Sequence, residues 1–227
     1  AAPLRNNTRV RVHHGSGHWA ARLVLVEGKI LEPGQTQLAQ LRLEQPVCVW
    51  PGDRIVIRNW PESATLAGGR VLDTLNDRKK LRTNHQKLFL KTRAKSPLEA
   101  GAWITSQLTR DGLAKCEELL RPSHFSPCQI EEAVAILVKA DAALAIGDWL
   151  IDHARWNTLR NACAARVDDE HTQHPELHGL ALEQLRLISE KAFPGHDIFN
   201  ELIDELCKNG FKKQQSHIAR ADHKPAL

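Results

Sequence analysis

The feature that most constrains this fold is a change of hydrophobic period near residue 96. Before it, short runs alternate apolar and polar residues, the period of half-buried strands. After it, apolar residues recur at spacings of three and four, the period of amphipathic helices. The 227 residues therefore divide into a leading β part and a trailing helical part.

In the β part, Thr8–His14 (TRVRVHH) alternates, Ala21–Glu27 (ARLVLVE) is mostly apolar, and Gln37–Glu44 (QLAQLRLE) alternates again. Asp53–Trp60 (DRIVIRNW) follows the turn Pro51-Gly52, and Pro33-Gly34 marks another turn. Short strands at this spacing predict a small barrel or sandwich. Alternation turns Val10, Val12, Leu41, Leu43, Ile55 and Ile57 to the core and Arg9, Arg11, Arg42 and Arg58 outward. Thr65–Asp73 (TLAGGRVLD) reads as a strand interrupted by Gly68, Gly69 and Arg70. Glycine there marks either a sharp barrel corner or a place where another backbone comes close. Asn76–Lys95 reads as a basic linker with a final strand near Leu88–Leu90.

In the helical part, Ser96-Pro97-Leu98-Glu99 carries the signature of a capped helix start, for a helix running to about Leu108. Ser126-Pro127-Cys128-Gln129 repeats the device, with a short helix at Leu113–Leu120 between them. Ala143–Ile151 reads as a hairpin around Gly147-Asp148. The order then recurs: helices at Trp156–Val167, Leu180–Glu190 and His196–Cys207, then a hairpin at Phe211–Ala221. Two units of three helices and a β-wing predict tandem winged-helix domains, against the simpler alternative of helical bundles with tails. The expected divisions are 1–86 for the barrel and linker, 87–151 for the first winged helix and 152–227 for the second.

Charge is segregated along the same lines. Residues 1–95 hold 17 Lys and Arg against 7 Asp and Glu, whereas residues 96–210 hold 10 against 19. The basic part suits a polyanionic partner. The third helices of the winged units are acidic: Pro127–Lys139 carries Glu131 and Glu132, and His196–Lys208 carries Asp197, Glu201, Asp204 and Glu205. Pressing them against phosphates would cost Coulomb energy, so these units are expected to be scaffold or protein contacts. Lys212, Lys213 and Arg220 are the only basic wing residues of the second unit.

No phosphate-cradling Gly-x-x-x-x-Gly-Lys-Ser/Thr loop and no Gly-x-Ser-x-Gly elbow occurs, and no nucleophile–base pair stands out, so the chain is not expected to be an enzyme. His171, His174 and His178 in DDEHTQHPELH have spacings zinc can use, but Pro175 breaks the helix that would align them, and the stretch reads as a polar surface loop. No metal is expected. Five scattered cysteines suit the reduced thiols of a cytoplasmic protein. No run approaches a membrane span. Methionine is absent even at position 1, which suits either a piece of a longer chain or a sequence written without its methionines.

Residues 44–73, EQPVCVWPGDRIVIRNWPESATLAGGRVLD, resemble the end of the third domain of EF-Tu-type translation factors, with its Pro-Gly-Asp turn, basic strand and Gly-rich last strand. The Asp-Arg followed by Ile-Arg, and the terminal Gly-Gly-x-Val-Leu-Asp, are similar to SelB, the bacterial selenocysteine-specific elongation factor family, as is the start VRVHHGSGHWAARLVLVEG at residues 10–28. The resemblance implies a C-terminal fragment: an EF-Tu domain III-like all-β barrel followed by two winged helices. It implies a role in delivering selenocysteinyl-tRNA to the ribosome at recoded UGA codons. The barrel would touch tRNA, and the helical arm would lead to distal units that hold an mRNA hairpin. GTP and Mg2+ would belong to an N-terminal domain outside this chain. The RNA-binding candidates are Arg9, Arg11, His13, His14, Arg58, Gly68, Gly69 and Arg70. The competing reading is a DNA-binding winged-helix regulator with a β-barrel interaction domain.

Overall fold

The computed structural model describes residues 3–74, 81–193 and 198–225. Residues 76–80 of the expected linker, and His196 and Asp197 at the expected start of the last helix, lie outside the described residues. The chain forms two compact units, Ala1–Arg110 with Glu118–Val134, and Asp111–Glu117 with Ala135–Leu227.

The first unit is built on a five-stranded antiparallel sheet. Its strands are β2 (Thr8–His14), β3 (Gly17–Leu25), β5 (Ala39–Leu43), β6 (Arg54–Arg58) and β7 (Thr65–Arg70), in the order β5-β3-β2-β6-β7. The short β1 (Leu4–Arg5) pairs with β4 (Ile30–Leu31). Alternation sets the faces as expected. Val10, Val12, Ile55 and Ile57 are buried in one cluster with Leu4, Ala21, Leu23 and Leu25, and Leu41 and Leu43 pack against it. The sheet is a half-barrel: β5 and β7 are its edges and do not pair. On its concave side lies a cavity of about 620 Å³, lined among others by Leu23, Leu41, Ile57 and Val71.

The expected strand at Leu88–Leu90 is instead part of a helix, α1 (Asn84–Lys95). Thr83 caps it, its hydroxyl accepting from the Gln86 amide at 3.3 Å, and Arg93 and Lys95 complement the dipole in the last turn. Phe89 and Leu90 bury against Val24 and Val26 of the sheet unit. Ser96 closes α1 rather than opening the next helix: its amide donates to the Thr92 carbonyl. α2 starts later (Ala100–Asp111). The buried Arg93 joins the pieces, donating to the Leu72 carbonyl at 2.8 Å and the Ser106 hydroxyl at 3.1 Å. Gly52 has φ 101°, and a Cβ there would collide with the imidazole of His124, which reaches the carbonyls of Pro51 and Pro97.

The expected short helix at Leu113–Leu120 is instead a short strand, β8 (Leu113–Lys115), followed by a 3-10 turn (Cys116–Glu118). The capping box at Ser126 forms: the Gln129 amide donates to the serine hydroxyl at 3.3 Å, and the Ser126 amide donates back to the glutamine side chain at 2.9 Å. It opens α3 (Pro127–Lys139). β9 (Ala143–Ile146) and β10 (Trp149–Asp152) form the expected hairpin, and β8 adds to β10.

In the second unit, Asp152 caps α4 (His153–Gln173), its carboxylate accepting from the Arg155 amide at 2.9 Å. β11 (Leu180–Ala181), α5 (Leu182–Ala192), α6 (Phe199–Lys208), β12 (Phe211–Gln214) and β13 (His217–Arg220) follow. The second hairpin is therefore present, and β11 pairs with β13 to make a sheet ordered β11-β13-β12. α6 buries Phe199, Leu202, Ile203 and Leu206, the three-and-four spacing of one face. They join Trp156, Leu159, Leu185 and Ile218 in one core. The stretch read as a polar loop at 168–173 is the last part of α4; there Arg220 holds Asp168 through both carboxylate oxygens, at 2.6 and 2.5 Å.

Candidate nucleic-acid interface

The pairing register gathers the early arginines on the convex face of the sheet. Arg42, Arg22 and Arg9 are direct partners across β5, β3 and β2. Arg11 stands opposite Arg58 of β6, and Arg54 continues the same side of that strand. Directly opposed like charges repel, so a row of them is not a device for stabilising a sheet. It concentrates positive potential on one surface.

Three features set the character of this surface. Trp60 lies beneath the guanidinium groups of Arg9 and Arg11, at 3.7 and 4.3 Å from its ring centroid, which holds both side chains splayed over the sheet. Glu44 pairs with Arg9 at 3.0 Å and Glu62 with Arg11 at 3.4 Å; Arg22 and Arg58 have no carboxylate partner among the described residues. The Nε atoms of Arg11 and Arg58 and the Nε2 of His13 are buried; Glu62 oxygens lie 3.4 Å from Arg11 Nε and 3.2 Å from His13 Nε2, whereas Arg58 Nε has no polar partner among the described residues. Buried polar atoms are normally satisfied, so Arg58 Nε, which lacks even an ion-pair contact, stands out on this face.

The sequence-derived candidates separate into two groups. Arg9, Arg11, His13 and Arg58 come together on the convex face. His14 falls on the opposite parity, lines the cavity and pairs with Asp53 at 2.8 Å. Gly68 and Gly69 are exposed in β7, opposite Val56 and Ile55. A Cβ at Gly68 would have the Ile55 carbonyl as its nearest neighbour, at 3.9 Å, so nothing within the chain requires its absence. Arg70 stands opposite Arg54 on the arginine side, but donates to the Gly52 carbonyl at 3.2 Å and so braces the turn before β6. Sequence reasoning missed Arg22, the centre of the three-arginine row, because Ala21–Glu27 reads as a buried run rather than an alternating one. It also missed Trp60 and Glu62, whose turn between β6 and β7 carries no periodic signal. In the second unit, Arg220 is committed to Asp168 and leaves Lys212 and Lys213 as the basic residues of the β12–β13 wing.

The fold is a small antiparallel β-domain with a row of arginines on one face, continued by helical units with short sheets. Residues 1–78 match the family described as "Selenocysteine-specific elongation factor, beta-barrel domain", so the resemblance read from residues 10–73 is borne out. The similarity continues beyond the barrel. The chain is 26% identical to the selenocysteine-specific elongation factor of Desulfomicrobium baculatum, over 96% of its own length and 34% of that protein's. It is 23% identical to the Haemophilus influenzae factor, over 98% of its own length and 35% of that protein's. The chain thus spans about a third of the length of the curated relatives it matches. Its fold is similar to the crystal structure of the bacterial selenocysteine-specific elongation factor EF-Sec, with a TM-score of 0.59 and 18% identity over 96% of this chain and 32% of that one.

Proposed function

We propose that the half-barrel binds the sugar-phosphate backbone of selenocysteinyl-tRNA through its convex arginine face, as part of a SelB-type elongation factor. The observation that carries this reading is the aligned row Arg42–Arg22–Arg9 beside Arg11 and Arg58, with Arg22 and Arg58 held by no carboxylate among the described residues. Arginine is suited to the task because its planar fork pairs with phosphate oxygens in a bidentate way. The exposed Gly68 and Gly69 at the edge strand leave the backbone there without side chains in the way of a close approach.

The helical part is proposed to comprise two tandem winged helices that link the barrel to modules holding an mRNA hairpin near the ribosome. Two observations support it. The chain order α4–β11–α5–α6–β12–β13, with sheet order β11-β13-β12, follows the winged-helix order. The order α2–β8–α3–β9–β10, with sheet order β8-β10-β9, matches it except that the 3-10 turn Cys116–Glu118 stands where the second helix would be. The acidic residues of α3 and α6 favour a spacer over a groove reader. The proposed role is binding and coupling in the cytoplasm, with GTP and Mg2+ handled by a domain outside this chain. No helix among the described residues is long and apolar enough to cross a membrane.

The test is a filter-binding comparison of this chain on selenocysteine tRNA, an ordinary elongator tRNA and duplex DNA. Charge reversal at Arg58 is expected to weaken tRNA binding. Binding that prefers duplex DNA and is lost on mutation of α3 or α6 would refute the reading in favour of a DNA-binding regulator.

A further inference from the structure

The hairpin β2–β3 and the turn between β6 and β7 bring His13, His18 and Glu62 together, with one ligand atom from each lying within 4.8 Å of the others. His13 and His18 are direct cross-strand partners, so both imidazoles leave the sheet on its arginine side, with ring centroids 5.5 Å apart. Glu62 comes from a distant part of the chain and is placed deliberately. Its backbone is left-handed, φ 58°, in a turn tied by Asn59. The Asn59 carbonyl accepts from the Glu62 amide at 2.9 Å, and its side chain bonds Ser63 and the Ala64 amide. A non-glycine residue in that conformation costs about 1–2 kcal/mol, and such positions concentrate where a side chain must be aimed. Here it carries the carboxylate to within 3.2 Å of His13 Nε2 and 4.0 Å of His18 Nε2.

We propose that His13, His18 and Glu62 form a zinc-binding site. Two imidazoles and one carboxylate suit Zn2+ and its borderline neighbours, not Ca2+ or Mg2+, which take oxygen shells. Tetrahedral zinc with ligand bonds of about 2.0–2.1 Å sets its ligand atoms about 3.3 Å apart. The His13–Glu62 pair already meets that spacing at 3.2 Å. His18 closes the remainder by rotation, and its side chain is 54% exposed and free to do so. Arg11 Nε lies 3.4 Å from Glu62 Oε1, so it steadies that oxygen while Oε2 faces the metal, the usual outer-shell support of a ligating carboxylate. His13 Nε2 is buried and faces only the Glu62 carboxylate without a well-formed hydrogen bond to it, and a metal between them would take its lone pair. Three protein ligands leave the fourth tetrahedral position to water or another oxygen donor. The site stands on these residues alone and does not rest on the tRNA reading, although a bound divalent cation would add two positive charges to the same face.

The experiment uses the 227-residue chain stripped of metal by a chelator, titrated with Zn2+ by calorimetry and with Co2+ by visible absorption. The expected result is a single ion bound, with four-coordinate cobalt bands and no thiolate charge-transfer band. His18→Ala and Glu62→Gln each weaken Zn2+ binding at least about tenfold, while His178→Ala leaves it unchanged; thermal melts confirm that every variant is folded. A thiolate band, or unchanged Zn2+ affinity in both site variants, overturns the proposal. Metal-free tRNA binding by the same variants reports separately on the arginine face.

Discussion

Replacing Arg22 and Arg58 together by glutamine separates a face that grips phosphates from one that is merely basic. Both lie on the convex face, and neither is held by a carboxylate among the described residues, so their removal strands no partner. As surface positions, each is expected to change stability by no more than about 0.5 kcal/mol. Each arginine that neutralises a backbone phosphate contributes about 0.7–0.9 to the slope of log K against log salt. The double variant should therefore flatten that slope by about 1.4–1.8. Between about 50 and 200 mM salt, where log salt rises by about 0.6, the parent should lose about tenfold more affinity than the variant. Fluorescence anisotropy with labelled selenocysteine tRNA at several salt concentrations reads both lines directly. The curves should converge as salt rises. The matching control is Lys212→Gln with Lys213→Gln on the β12–β13 wing, which should leave the slope where it was. Parallel lines for parent and Arg22/Arg58 variant, or a slope carried by the wing lysines, would refute the reasoning.

Gly52→Ala should cost about 3 kcal/mol: about 1–2 for the backbone conformation and about 1–2 for displacing the hydrogen-bonded imidazole of His124. That is a fall of roughly 6–12 °C in Tm, and the same change in a His124→Ala background should cost only the backbone part. Arg220 holds the Asp168 carboxyl below the usual carboxylate range by hydrogen bonding to it. A lowered folded-state value gives stability that is present above the unfolded value, about 4, and lost as pH falls through the folded one. Arg220→Gln should therefore lower Tm at neutral pH, with the deficit disappearing in acid, as differential scanning fluorimetry across pH would show. Burial pushes the Cys163 thiol up to about 11, whereas Cys48, Cys116 and Cys128 are exposed. Alkylation followed by mass spectrometry should label those three in the native protein and reach Cys163 only on unfolding. Glu44→Gln should tighten binding to tRNA and to heparin alike by releasing Arg9, measured by competition anisotropy.

The sheet was legible because alternation and Pro-Gly turns fix both the strands and their faces; parity alone places Val10, Val12, Ile55 and Ile57 inside and Arg9, Arg11 and Arg58 outside. The same parity argument, applied to His14, would have placed it beside Val12 rather than Arg11. α1 escaped because it lacks an apolar stripe: two of its four buried residues are Gln86 and Arg93, satisfied by hydrogen bonds that only tertiary structure supplies. Ser96-Pro97 misled because a serine before proline signals a boundary without saying which helix it bounds. β8 is three residues long and exists because β10 offers it an edge. Of the candidate metal site, the histidine pair is implied once the hairpin register is known, whereas Glu62 is recruited by a turn with no periodicity.

Acidic residues on a basic face look at first like a contradiction, and the magnitudes resolve it. An exposed ion pair such as Arg9–Glu44 is worth about 0–1 kcal/mol, little enough for a phosphate to displace the carboxylate. Until then the carboxylate and the Trp60 ring hold the guanidinium extended over the sheet, which reduces the side-chain entropy lost on binding. Arg22 and Arg58, which no carboxylate holds, remain open for first contact and long-range attraction. A lone small anion gains little by competing for arginines that already have partners. A polymer whose phosphates repeat along its backbone meets several of them at once and gains from each. The arrangement therefore favours a dense, extended polyanion over free phosphate.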